Sequence, residues 1–105
     1  FRRVLFRSAL HRAIHDRLQR SPEPVLSRAR RTLDRMLRVA SGRSGPLREW
    51  AVLLDRPLEA LLPVLIDPSP WARELRHVSP FAGVLSASER ADVIRAFAEV
   101  ERNLE

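Results

Sequence analysis

The chain has 105 residues and a formal charge of +6, from 19 basic residues against 13 acidic ones, and it contains no Cys and no Tyr. That length suits one domain with one core, and the lack of cysteine excludes a disulfide framework and thiolate metal ligands, as fits a reducing cytoplasm. No stretch approaches the roughly 20 uninterrupted apolar residues of a membrane span; the greasiest, 58–66, holds Glu59 and Pro63. A cytoplasmic protein with no membrane partner is expected. Every basic residue is Arg, which together with abundant Ala, Leu and Pro reads as the product of a GC-rich genome rather than as selection for phosphate binding.

Residues 1–8, Phe1-Arg2-Arg3-Val4-Leu5-Phe6-Arg7-Ser8, read as the in-frame translation of the end of a common short-read sequencing adapter. They are expected to be non-native, with the natural frame starting near Ala9 and with thermal stability nearly unchanged by their removal. Without them the charge falls to +3, and its distribution becomes the useful signal: residues 9–48 carry +7 and residues 49–105 carry −4. The basic half points to an anionic partner, or to attraction between the halves.

Helical spacing predicts a first helix over 9–20, with Leu10, Ala13, Ile14 and Leu18 on one side. Ser21-Pro22 reads as N-cap and first helical position of a second helix over 22–40, its stripe formed by Val25, Leu26, Ala29, Leu33, Met36, Leu37 and Ala40, with Gly42 as a left-handed cap. A third helix, 46–54, presents Leu47, Trp50, Ala51 and Leu54. The fourth presents Leu58, Leu61, Leu62, Leu65 and Ile66, with a kink at Pro63. Asp67 or Ser69 caps a short fifth helix through Trp71, Leu75 and Val78, and Ser79-Pro80 closes it. Ser86 and Glu89 have the spacing of a capping box and open a last helix carrying Val93, Phe97, Val100 and Leu104. Nothing alternates with period two. The expected fold is all-α, a compact single-domain bundle of five to six short helices spanning 9–105.

Arg28, Arg31, Arg35 and Arg38 fall within about 80° on a helical wheel, opposite the apolar stripe. Such a rail can follow phosphates or an acidic protein, although a charged solvent face is the commoner outcome for an amphipathic helix. A helix-turn-helix over 33–50 is disfavoured, because Gly42, Gly45 and Pro46 make the connection too loose. His11 and His15 stand at metal-chelating spacing beside Asp16, but lack further ligands and read as a solvated face. No catalytic, metal or cofactor motif is present, so a non-enzymatic role is expected. The serines serve as caps. Trp50, Trp71, Phe81 and Phe97 are all expected to fill the core first; of the two tryptophans Trp71, beside a helix start and two prolines, is the better candidate for an interface anchor.

The most distinctive segment is Leu75-Arg76-His77-Val78-Ser79-Pro80-Phe81-Ala82-Gly83-Val84-Leu85. It reads as a scaffold corner in which Phe81 plugs the core, Gly83 permits tight passage and Arg76 donates to loop carbonyls or a nearby acid; the alternative is partner binding through Trp71, Leu75, Arg76 and Phe81. Together with Leu10-His11-Arg12-Ala13-Ile14, Pro22-Glu23-Pro24-Val25-Leu26 and Leu53-Leu54-Asp55-Arg56-Pro57-Leu58, it resembles a family of small, mostly uncharacterised helical bacterial proteins, sometimes encoded beside toxin–antitoxin or regulator genes. The resemblance implies an antitoxin-like or regulatory accessory protein that engages a protein partner, such as the product of an adjacent gene. Nucleic-acid binding through the Arg face of the second helix is the alternative.

Overall fold

Serine caps and prolines divide the chain as their spacing predicts. A computed structural model describes residues 2–40 and 44–104, with side chains from 6 to 40 and 44 to 103. Among these residues it shows six α-helices and no strand: α1 (Arg2–Arg20), α2 (Pro22–Ala40), α3 (Gly45–Leu54), α4 (Leu58–Ile66), α5 (Pro70–His77) and α6 (Ala87–Leu104). The proposed cap at Gly42, and with it the helix-turn-helix connection, lies outside the described residues. The Ser44 hydroxyl accepts from the Leu47 amide at 3.3 Å to start α3. For α5 both candidate caps are used: Ser69 Oγ accepts from the Ala72 amide at 3.2 Å, and Asp67 Oδ1 accepts from the Ser69 amide at 2.8 Å. The capping box of α6 is complete, with the Glu89 amide donating to Ser86 Oγ at 3.1 Å and the Ser86 amide donating to Glu89 Oε1 at 2.9 Å.

α1 packs against α2, α4, α5 and α6, while α3 joins α2, α4 and α5. The shared core contains Ile14, Leu18, Val25, Ala29, Leu33, Leu47, Trp50, Leu61, Leu65 and Leu75. Details of the helix faces differ from the sequence reading. On α4, Val64 is buried, whereas Leu62 is half-buried and Ile66 exposed. α6 touches only α1 extensively, so Val93 and Phe97 are half-buried and Val100 is exposed. Gly83 is not sterically required, since a Cβ there would meet only the Arg28 guanidinium, Nη2 at 3.8 Å and Nε at 3.9 Å, both ordinary contacts.

Phe81 is fully buried and meets Trp50 edge-on, with ring centroids 5.7 Å apart. The Trp50 indole Nε1–H donates to the Leu75 carbonyl at 2.8 Å, so one aromatic pair fastens α3 to the end of α5. Replacing Phe81 with Ala empties a fully enclosed site and is expected to cost about 3–5 kcal/mol, measured as a shift of the urea midpoint with an unchanged slope.

The first helix starts at Arg2, upstream of the Ala9 expected from the adapter-like segment. Extending an existing helix is easy where no Pro or Gly intervenes. Phe6 meets the Phe97 ring edge-on at 5.7 Å, a pairing worth about 0.5–1.5 kcal/mol beyond area burial. Thermal melts of the full chain and of residues 9–105 are therefore expected to differ by a loss of that order in the shorter chain, against the near-zero difference expected for an idle appendage.

Candidate functional site

The amphipathic pattern of α2 buries Val25, Ala29 and Leu33 and turns its arginines outward. Arg28, Arg31, Arg35 and Arg38 are all exposed. Arg31 donates to Ser27 Oγ at 3.2 Å and Arg35 to Thr32 Oγ1 at 3.4 Å, so the helix steadies two guanidinium groups while leaving their charge unneutralised. The ion pairs among the described residues are His15–Asp16, Arg17–Glu89 and Arg95–Asp92, and none involves this row. A shallow depression of about 420 Å³ runs along Arg28, Arg31, Thr32, Asp34, Arg35 and Arg38. A second, of about 320 Å³, shares Arg28 and Arg31 and continues past Arg17 and Ser21 to Val84. Asp34 is the only acid among these lining residues. The neighbouring Arg30 points elsewhere and donates to the Leu54 carbonyl at the end of α3, at 3.3 Å.

The other four residues singled out from the sequence do not share a surface. Trp71 is 46% exposed, and its Nε1–H donates to Glu49 Oε2 at 2.7 Å. Leu75 and Phe81 belong to the core, and Arg76 is only 4% exposed. A partner approaching the folded chain thus meets Trp71 alone of that set. Arg76 Nη1 donates to the Val64 carbonyl at 3.0 Å, not to the loop at 79–85 or to an acid. The reason lies in the sequence: the helical partner of the Val64 carbonyl would be the amide of residue 68, which is Pro68 and has no N–H. Burial pushes the Arg76 guanidinium below its usual range and Arg73 adds to this, while Asp67 opposes it.

His11 is the residue that sequence reasoning misplaced. Read as part of a solvated face, it is 4% exposed, because it precedes Ile14 by three residues and Leu18 by seven and so shares their buried side. Its Nδ1–H donates to the Arg7 carbonyl at 2.8 Å, which leaves Nε2 as an acceptor, buried and without a partner among the described residues. His15 pairs with Asp16 instead, Nδ1 to Oδ1 at 3.2 Å. No group of three or more metal-ligating side chains gathers among the described residues, and no described helix is long and apolar enough to cross a membrane.

Burial lowers the pKa of His11 from 6.5 to about 4, reinforced by Arg76 and Arg7 and opposed by the bond to the Arg7 carbonyl. Between these values the unfolded chain binds a proton that the folded chain refuses, so the contribution to stability is complete above pH 6.5 and is lost as pH falls toward 4. The loss is of order 3 kcal/mol. Denaturant titrations of the wild type and His11→Leu across this window are expected to diverge, the variant showing the flatter dependence.

Comparison of the chain with protein-family models, with curated proteins and with solved structures finds no match.

Proposed function

We propose that the chain is a non-enzymatic binding module that holds nucleic acid by its phosphates, through Arg28, Arg31, Arg35 and Arg38. The observation that carries this reading is that all four side chains are exposed along one face of α2, with no ion pair to an acidic side chain among the described residues. From Arg28 to Arg38 the helix rises about 15 Å, enough to follow successive phosphates of one strand. Arg17, at the other end of the shared depression, is already paired with Glu89 and adds little. The face has guanidinium groups but no aromatic ring among its lining residues, so the interaction is with the backbone and carries no sequence preference.

Fluorescence anisotropy with short DNA duplexes between 50 and 200 mM salt tests the reading. Neutralising three or four phosphates gives a slope of log K on log salt of roughly −3. Substituting Arg31→Ala and Arg35→Ala together is expected to reduce that slope by about 2 and to weaken binding to unrelated sequences equally. Absent or salt-insensitive binding would refute it.

A protein partner, in the manner of an antitoxin or regulatory accessory protein, is the second reading, favoured by the half-exposed ring of Trp71. Tryptophan is a common interface anchor. Under this reading Trp71→Ala abolishes capture of an adjacent gene product and leaves duplex affinity unchanged.

A further inference from the structure

Between α1, α2, the end of α5 and the start of α6 lies a cavity of about 410 Å³, within the range of small-molecule sites. Its apolar wall includes Leu10, Ile14, Met36, Val78 and Leu85. The ionisable groups on its lining are Arg7, His11, Arg76, His77 and Arg90, and no carboxylate is among them. Close by, Arg73 joins Arg7 and Arg76 around a small adjoining recess. The cavity is therefore greasy inside and positive at its edges.

Two features separate this cavity from a packing fault. Arg76 and Arg90 are each fixed by one Nη1 donor on a backbone carbonyl, Val64 at 3.0 Å and Ala82 at 2.8 Å. A guanidinium has five donors, so each is held in place with donors to spare. In addition, the buried Nε2 of His11, a lining residue, has no partner among the described residues; as an acceptor it calls for a donor such as a water inside the cavity, and not for the anionic head itself.

We propose that this cavity binds a small amphipathic anion, an alkyl or aryl carboxylate, with its chain against Leu10, Ile14, Met36, Val78 and Leu85 and its head on the guanidinium groups of Arg76 and Arg90. Apolar burial supplies the affinity, and the charge selects the head group. All seven anchoring residues lie beyond the adapter-like segment, and Phe6 and Arg7 only add to one side of the cavity. The site is separate from the arginine row of α2, whose depression shares none of its lining residues.

Calorimetric titration of the full chain with decanoate, below its micelle concentration, tests the proposal against decanol and decyltrimethylammonium as probes with the same chain and different heads. Saturable one-to-one binding of decanoate is expected, about tenfold or more tighter than decanol, since a charge-assisted hydrogen bond contributes at least that factor. The ammonium compound should not bind. Arg90→Gln is expected to weaken decanoate about tenfold and to bring it level with decanol, whereas Met36→Trp should fill the cavity and abolish binding of both. If Met36→Trp does not fold, as judged by circular dichroism, Val78→Phe serves the same end. Equal binding of the three probes, non-saturable uptake, or decanoate affinity untouched by the filling variant would each overturn the proposal.

Discussion

The fold depends on how its helix ends satisfy their carbonyls. Prolines stand at nearly every junction, at Pro22, Pro24, Pro46, Pro57, Pro68, Pro70 and Pro80. Pro22, Pro46, Pro57 and Pro70 stand within one residue of a helix start, and every proline also removes an amide donor from the chain. Carbonyls left without a donor in the interior would cost about 1–3 kcal/mol each. Side chains from other helices reach these ends: Arg76 donates to the Val64 carbonyl of α4, whose helical partner would have been Pro68, Arg30 to the Leu54 carbonyl at the end of α3, and Trp50 to the Leu75 carbonyl of α5, which also accepts from the Val78 amide. These bonds tie α2 to α3, α5 to α4 and α3 to α5, so finishing one helix also docks another.

Satisfying carbonyls in this way places polar groups inside. Arg76 is nearly as buried as the leucines around it, and it raises the local positive potential enough to help keep His11 neutral. The two residues share the lining of one cavity. Burial is the main reason His11 stays neutral, and the nearby Arg76 guanidinium adds to it. On the outside the logic is reversed, because the α2 arginines are well solvated and cost the fold little, leaving their charge available to a partner. The two halves of the chain, of opposite net charge, share one close ion pair among the described residues, Arg17–Glu89. Glu89 also completes the capping box, so the start of α6 and its attachment to α1 rest on one carboxylate.

The exposed arginine row was legible because it needs only helical periodicity and an apolar stripe opposite it. Trp50 inside and Phe81 as core plug were legible because of their size, whereas Trp71, expected first in the core, is 46% exposed. Arg76 and His11 were not legible. Arg76 and His11 carry groups that ordinarily seek water, and only the positions of the Val64 carbonyl and of the α1 backbone make burial acceptable. The spacing of His11 from Ile14 and Leu18 was a usable signal, outweighed by its polarity and by the more conspicuous pairing with His15.

By itself, the sequence determined the order of the helices, the starts of α2 to α6, the caps at Ser69 and Ser86, the one-sided arginines of α2 and the all-α class. These follow from interactions between residues a few positions apart, whose geometry the backbone enforces. Tertiary structure alone decided that Val64 is more deeply buried than Leu62, that Arg76 finishes α4, and that a cavity with cationic edges lies between α1, α2, α5 and α6. Each of these outcomes depends on the relative placement of helices far apart in the chain, and no local periodicity encodes that placement.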